Sequence, residues 1–226
     1  MNSKLHMVYR HYSNTLLPSL IVLLLCIQLP LLLFAQSKSI TACWQITART
    51  AGTTSGYDIR IEQYRDKTNF FFKRIDSLRQ HDMEKDVTYS KQRNAIRSAT
   101  TVDEATYEIE KLASIIELFE VSRKDSLNYG SVIPNPVLKS LLDSLMTMPV
   151  EILSNNAGLK NEKQVTTGYS FHFIRYNGKK KTADFFTPQP GTDTHPFLFR
   201  LVTQTLAFYR KEKPDAIITM DLTKTY

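Results

Sequence analysis

The first half of the chain alternates between apolar and polar residues in a way that predicts β-strands. Three such segments follow one another, at residues 40–50, 57–62 and 69–75. In the first, Trp44, Ile46 and Ala48 are separated by polar residues, as a strand with one buried face requires. The third contains three consecutive phenylalanines, which cannot all point to one side of a pleated strand. We therefore expect the third strand to be covered on both faces.

The clearest helix signal begins at Thr101. Glu104 follows three residues later, and this spacing forms a capping box in which each side chain bonds a backbone N–H at the helix start. Apolar residues then recur at steps of three and four, which predicts a helix whose apolar stripe lies on the sheet. The stripe consists of Val102, Ala105, Ile109, Leu112, Ile116 and Phe119.

Two further helices are predicted nearer the C-terminus. Asn135 and Pro136 supply an N-cap and a first-turn proline for one of them, which ends before Pro149. Pro196 occupies the first turn of the last helix, and Pro214 ends it. Their apolar faces comprise Leu138, Leu141, Leu142 and Leu145 in the first, and Phe197, Leu198, Leu201, Val202, Thr205, Phe208 and Tyr209 in the last.

Other segments carry weaker patterns. Residues 76–99 are dense in charge with scattered apolar positions, which indicates a short strand and an exposed loop. Residues 125–134 are interpreted as a connection between helices, and residues 216–220 as a short closing strand. Turn-forming residues predict a loop at 51–56, and residues 160–167 form a polar linker.

The strongest local signal is Asn177-Gly178 between two alternating runs. It predicts a two-residue type I′ hairpin, because both turn positions need positive φ. The resulting pairs are Tyr176 with Lys179, Phe173 with Thr182, Phe171 with Asp184, and Tyr169 with Phe186. A carboxylate opposite a phenylalanine is unfavourable, so we expect a bulge within Lys179-Lys180-Lys181. Both hairpin faces carry aromatic residues; one can pack on a helix, and the other is either covered too or forms an aromatic binding surface.

Strands followed by helices, then a hairpin and another helix, predict an α+β domain. In this fold an antiparallel sheet built from β-hairpins carries helices packed on one face. Residues 36–226 are enough for one such domain with a substantial core. Residues 54–75 and 166–187 share a weak spacing pattern, which leaves open both a duplicated hairpin and chance.

An apolar run at residues 16–35 precedes all of these elements. Two basic residues and no acidic residue come before it, and the chain becomes polar directly after Ala35. This order resembles a Sec secretory signal peptide that is cut between Ala35 and Gln36. The resemblance predicts a signal peptide at residues 1–35 and an exported mature chain, periplasmic or extracellular, and it implies nothing about activity.

Two other interpretations of the N-terminus stay open. The apolar run is just long enough to cross a bilayer, so it can also act as an uncleaved anchor, although Pro18 and Pro30 interrupt it. Residues 40–43, Ile-Thr-Ala-Cys, resemble the lipobox of bacterial lipoproteins, but a polar stretch separates them from the apolar run. We favour a buried cysteine in the first strand. We expect membrane contact only if the leader is retained or Cys43 is lipidated.

Charge and cysteine content narrow the environment of the mature chain. Removal of the leader leaves 27 basic against 22 acidic residues, a net charge of +5. A basic exported protein favours anionic neighbours such as acidic polysaccharide or lipid headgroups, although surplus lysine also serves solubility. Cys26 leaves with the leader, so Cys43 stands alone and the mature chain has no intrachain disulfide.

The sequence holds no cofactor, phosphate-loop, zinc or nucleophile-elbow motif, and we predict no cofactor, no metal site and no catalytic residue. His81 with Asp82 and Glu84 offers metal-binding groups, but their spacing matches no site and a solvated charged face is the favoured interpretation. His172 is interpreted as a packing residue of the hairpin, and His195 as part of a helix start.

One patch has the composition of a surface that binds anionic groups. Lys179, Lys180 and Lys181, with Arg175 and Tyr176 nearby, combine positive charge with an aromatic ring at the hairpin tip. Such a surface can bind phosphate or carboxylate groups, and export argues against nucleic acid as the partner. The simpler explanation is a charged turn that stays soluble and protects a sheet edge.

Two functional hypotheses follow. The first is an exported, non-catalytic protein that binds or assembles in the cell envelope, with an envelope protein or an anionic envelope polymer as partner. The second is an exported hydrolase whose site is assembled from His81, His172, Asp184 and the carboxylates of the first hairpin. Turnover of ester, glycoside or peptide substrates that His172→Ala abolishes would favour the hydrolase.

Overall fold

The computed structural model describes residues 39–50, 55–154 and 169–223. Several predicted features lie outside these ranges. They are the signal peptide, most of the loop at 51–56, the linker at 160–167, and the first residues of the two segments with a shared spacing pattern, 54–75 and 166–187. The strands are β1 (Ala42–Thr50), β2 (Gly56–Gln63), β3 (Lys67–Leu78), β4 (Glu120–Gly130), β5 (Tyr169–Asn177) and β6 (Lys180–Pro188). The helices are α1 (Gln80–Lys85), α2 (Val87–Ser98), α3 (Val102–Glu117), α4 (Pro136–Thr147), α5 (Val150–Leu153) and α6 (Pro196–Glu212), followed by a 3₁₀ turn at Met220–Thr223.

All six strands form one antiparallel sheet in the order β4-β3-β2-β1-β5-β6. β1 lies at the centre, between the β2–β3 hairpin and the β5–β6 hairpin. The alternation predicted for β1 is confirmed, since Trp44, Ile46 and Ala48 are at most 1% exposed. Ala48 faces Tyr57 on one side and Phe171 on the other, so Tyr57 corresponds spatially to Phe171 and not to Tyr169. Duplication of the hairpin stays a hypothesis.

The core lies between one face of the sheet, called the inner face, and helices α4 and α6. Asn135 caps α4 by accepting a hydrogen bond from the Leu138 N–H at 3.0 Å, as predicted. The ring of Phe72 on β3 stacks on Tyr209 of α6 at 3.8 Å between centroids. The apolar faces predicted for both helices are buried, except that Phe197 is only partly buried, and each fully buried leucine contributes roughly 1.5–3 kcal/mol. The α+β prediction, with helices packed on one face of the sheet, is confirmed.

Residues 76–99 form regular structure where an exposed loop was predicted. β3 continues to Leu78, and α1 and α2 follow. Asp86 starts α2 because its side chain accepts a hydrogen bond from the Tyr89 N–H at 2.8 Å. α2 packs against the next helix, α3, although Val87 at its start is 80% exposed.

The prediction that α3 packs its stripe on the sheet is wrong. α3 pairs with α2, and the side-chain amide of Gln92 donates to the Glu108 carbonyl at 3.0 Å. No residue of either helix is buried, and Val102 is 82% exposed. The N-cap of α3 is confirmed, since the Glu104 N–H donates to Thr101 Oγ1 at 3.2 Å. An amphipathic stripe shows that a helix has a partner but does not identify that partner.

Three smaller corrections concern the sheet and the C-terminus. Residues 125–134 include most of edge strand β4 and are not a simple connection. Phe71 is 38% exposed on the face of the sheet opposite the core, called the outer face, so β3 is not covered on both sides. Residues 216–220 form no strand, because the arginine side chains of Arg74 and Arg210 bind the carbonyls of this segment. No helix within the described ranges is both long and apolar enough to span a membrane.

Candidate functional site

The turn of the β5–β6 hairpin lies one residue later than predicted. Asn177 pairs with Lys180, which leaves Gly178 and Lys179 as the two turn residues, and Gly178 has a φ of +58°. The shift follows from β1, because Asn177 also pairs with Ala42 and therefore belongs to the strand. The Gly178 N–H donates to the Thr41 carbonyl at 2.8 Å. The hairpin tip is thus fixed beside the residue that precedes β1.

The predicted register of the hairpin is also wrong. Tyr176 lies opposite Lys181, and Arg175 lies opposite Ala183, so Thr182 is the extra residue of a bulge placed just after the lysines. The other observed pairs are Ile174 with Asp184, Phe173 with Phe185, His172 with Phe186, and Phe171 with Thr187. This arrangement places Asp184 on the outer face and removes the unfavourable contact with Phe171.

Arg175 points into the protein and does not join the lysines. It is 6% exposed on the inner face, where its guanidinium donates to the carbonyls of Leu145 at 2.7 Å and Met148 at 2.6 Å. These carbonyls lie at the C-terminal end of α4, where positive charge is favourable. The guanidinium also lies 5.8 Å from the ring of Trp44, and burial lowers the pKa of Arg175. Arg175 therefore attaches α4 to the sheet.

The outer face of the hairpin carries a linked cluster of polar and aromatic side chains. Asp184 accepts from Lys181 Nζ at 2.6 Å and contacts His172 Nε2 at 2.7 Å, and the His172 ring stacks on Phe186 at 4.0 Å. The hydrogen bond to Asp184 raises the pKa of Lys181, and the carboxylate of Glu110 on α3 adds to this effect. Burial works to raise the pKa of Asp184, but its bonds to Lys181 and His172 outweigh it and lower that pKa.

Lys179 and Lys180 differ from Lys181 in their surroundings. Both are exposed at the tip, and within the described ranges neither makes an ion pair. Tyr176 is half-buried on the outer face opposite Lys181. Of the five residues proposed from sequence, four therefore lie at the tip or on the outer face, and Arg175 lies on the inner face. The free positive charge belongs to Lys179 and Lys180.

A pocket that the sequence did not reveal opens beside the hairpin tip. It has a volume of about 270 Å³ and lies between the end of the sheet and α4. Thr68 lines it and is 6% exposed, yet its hydroxyl makes no hydrogen bond to any described residue. The sequence signal is a polar residue in a strand where Phe70 and Phe72 continue the buried alternation. Thr41 borders the pocket and also contacts the hairpin tip.

The other residues singled out for chemistry do not converge. His81 is exposed on α1, while Asp82 bonds Arg79 and Glu84 bonds Gln80. Within the described residues no group of three histidine, cysteine, aspartate or glutamate side chains is arranged to hold a metal ion. His195 occupies the N-cap position of α6 without a side-chain capping bond; it is buried, and burial lowers its pKa.

Cys43 lies buried in β1, as the favoured interpretation of that residue predicted. Its backbone pairs with Glu62 on one side and Tyr176 on the other. Burial raises the pKa of its thiol, which disfavours the reactive thiolate.

No protein-family model, curated protein or solved structure matches this chain. Function is therefore inferred from the geometry of the hairpin and the adjacent pocket, together with the N-terminal sequence.

Proposed function

We propose that this protein is exported and acts as a non-catalytic binding or assembly protein of the cell envelope. Export is inferred from the leader-like sequence at residues 1–35, and binding from the β5–β6 hairpin. The observation that carries the proposal is the position of Phe186, which is 71% exposed on a strand pair whose opposite face is built into the core.

The hairpin is well suited to present an aromatic side chain to a partner. Phe171 and Phe173 of β5 are fully buried, which fixes the strand that supports Phe186. The Phe186 ring is oriented by stacking on His172, which in turn contacts Asp184. A side chain that is already ordered loses little conformational entropy on binding, and aromatic residues dominate the energetics of many interfaces. The exposed lysines at the tip add attraction for an anionic partner.

A second candidate is an exported hydrolase, and one observation favours it. The contact between His172 Nε2 and Asp184 Oδ1 at 2.7 Å resembles the pairing that orients a catalytic histidine. The other residues named for such a site lie elsewhere, with Asp58 paired to Arg49 and His81 exposed on α1. The same histidine stacks on Phe186, and this contact suits a binding surface as well. We therefore place the hydrolase second.

Intact mass spectrometry of the protein from fractions of its native host, or of a bacterium that exports it, tests the first half of the proposal. We expect a species that begins at Gln36 in the periplasm or the medium. A membrane species that keeps residues 1–35, or one that begins at a lipidated Cys43, would instead show a tethered envelope protein. A full-length species in the cytoplasm would contradict export.

Substrate panels test the second half. We expect no turnover of esters, glycosides or peptides by the purified protein. Turnover that His172→Ala and Asp184→Asn both abolish, while the fold stays intact by circular dichroism, would establish the hydrolase and overturn the binding role. Phe71→Ala is the matched control, because Phe71 is also a partly exposed aromatic residue of the outer face.

A further inference from the structure

The pocket beside the hairpin tip contains several polar groups that the protein leaves without partners. Thr68 is the most informative, because the residue as a whole is only 6% exposed while its hydroxyl is open to the pocket. This hydroxyl makes no hydrogen bond to a described residue and is available to a ligand. The side-chain amide of Gln63 and the hydroxyl of Ser131 line the same pocket and also lack partners within the described ranges. These groups can both donate and accept hydrogen bonds.

Three charged side chains line the pocket; two of them form an ion pair with each other, and the third has no ion-pair partner within the described ranges. Lys139 on α4 is paired with Asp143 at 2.7 Å, and this pair forms one wall. Arg65 in the turn between β2 and β3 also lines the pocket, is exposed and makes no ion pair within the part of the chain that the structure describes. A guanidinium favours carboxylate groups, which it binds through two parallel hydrogen bonds. The pocket therefore combines hydroxyl and amide groups with one available cation.

The size of the pocket and its neighbours indicate the kind of ligand. Its volume of about 270 Å³ falls just below the roughly 300–1,000 Å³ of pockets for drug-sized molecules, which suits a single ring. Thr41 separates the pocket from the hairpin tip, where Lys179 and Lys180 are unpaired. A chain with an acid group on each unit would place one unit in the pocket and the next beside the lysines.

We infer that this pocket binds one acidic monosaccharide unit of an anionic envelope polysaccharide. Thr68 and Gln63 bond the hydroxyls of the sugar, Arg65 pairs with its carboxylate, and Lys179 and Lys180 attract the following acid groups. This inference rests on the proposed binding role and adds the chemical class of the ligand. A concave polar pocket favours a sugar chain over a lipid surface, whose headgroups would meet only the exposed lysines.

Isothermal titration of the exported protein with an oligomer of galacturonic acid tests this inference. We expect binding to this oligomer and none to the neutral galactose oligomer of equal length. Thr68→Val removes the hydroxyl but keeps the shape, and it should raise the Kd roughly fivefold. Arg65→Gln should raise it by at least about tenfold, because the lost bond is charge-assisted. Lys179→Ser with Lys180→Ser should weaken binding most at low salt, where exposed charges are least screened.

Two matched controls isolate the pocket from general effects on the fold. Thr205→Val changes a threonine on α6 that is buried in the core and whose hydroxyl has no hydrogen-bond partner among the described residues. Arg97→Gln removes an exposed arginine of α2. We expect both variants to bind the galacturonic acid oligomer as the unchanged protein does. Equal losses in Thr205→Val and Thr68→Val would contradict a specific role for the pocket.

Three results would overturn the inference. In the first, the protein does not bind the galacturonic acid oligomer. In the second, Thr68→Val and Arg65→Gln leave binding unchanged. In the third, the neutral oligomer binds with equal affinity. Vesicles of phosphatidylglycerol and phosphatidylcholine form a separate arm. Vesicle binding that needs Lys179 and Lys180 but not Thr68 or Arg65 would assign this end to a membrane surface. None of these results bears on whether the protein is exported or binds another protein. Recovery of the protein from the cytoplasm would refute the proposed function, and the titration would still stand.

Discussion

Replacing Arg175 by methionine separates a structural role from a ligand-binding role for this residue. Arg175→Met keeps the length and much of the volume of the side chain but removes every donor. In the structure these donors bind the Leu145 carbonyl at 2.7 Å, the Met148 carbonyl at 2.6 Å and Thr182 Oγ1 at 3.0 Å. The substitution therefore detaches the end of α4 from the sheet.

The expected loss can be estimated from these contacts. Each buried carbonyl left without a donor costs about 1–3 kcal/mol. Part of this cost is offset, because the folded protein no longer has to hold a desolvated charge at a site where burial already lowers the pKa of Arg175. We expect the free energy of unfolding to fall by about 2–4 kcal/mol. This is a large share of the roughly 5–15 kcal/mol of a typical domain.

Urea denaturation followed by tryptophan fluorescence provides the assay. Trp44 is the only tryptophan of the chain, is 1% exposed and lies 5.8 Å from the Arg175 guanidinium, so its emission reports on this part of the core. Arg123→Met is the matched control, because Arg123 is 54% exposed in its ion pair with Asp76 and should cost less than about 1 kcal/mol. A loss below about 1 kcal/mol for Arg175→Met, or losses of equal size in both variants, would refute the reasoning.

Two further predictions concern other parts of the fold. Residues 79–119 can be replaced by Asn-Gly, because Leu78 and Glu120 are already paired across β3 and β4. The shortened chain should unfold cooperatively in a thermal melt, and the lost burial of Met83 and its surroundings should lower the free energy of unfolding by no more than about 4 kcal/mol. A failure to fold would show that α2 and α3 support the sheet. Burial lowers the pKa of His195, so the unfolded chain takes up a proton at higher pH than the folded chain, and stability should fall as the pH drops below about 6.5. Urea midpoints measured between pH 7.5 and about 4.5 should show this fall, and His195→Gln should reduce it. An equal slope in both proteins would contradict the assignment to His195.

The sheet and its two covering helices could be predicted because their signals are local. Alternation in β1 identified Trp44 and Ile46 as core residues, and Asn135 with Pro136 marked the start of α4. Burial of one face determines the β1 residues, and the geometry of a helix start determines Asn135 and Pro136, so each signal depends on its own segment alone. The packing partner of α3 could not be predicted in the same way. Two of its six stripe residues, Val102 and Ile109, stay exposed, because the helix packs mainly on α2 and not on the sheet.

The hairpin shows how neighbouring strands override a local turn signal. Asn177-Gly178 favours a turn at those two residues, but pairing with Ala42 on β1 extends β5 through Asn177. The turn moves by one residue, and the bulge at Thr182 then determines which side chains share a face. Because a shift of one residue reverses the faces of a strand, Phe186 lies opposite His172 on the outer face and not opposite Tyr169, as the sequence predicted.

The pocket was beyond sequence analysis for a different reason. Thr68, Arg65 and Ser131 come from β3, from a turn and from the segment before α4, and only the fold brings them together. Thr68 is detectable in retrospect as a polar residue at a position where the alternation of β3 calls for an apolar one. The pocket that its hydroxyl lines is visible only in the structure.

Site-specific photo-crosslinking in the native host tests the central claim most directly. A photoreactive phenylalanine analogue placed at Phe186, on the exposed outer face of the hairpin, should form a covalent adduct with an envelope component in intact cells. The same analogue placed at Val137, which is 53% exposed on α4 on the other side of the sheet, should form none. Adducts at both positions in equal yield, or at Val137 alone, would contradict the hairpin as the binding surface, and so would the absence of any adduct at Phe186.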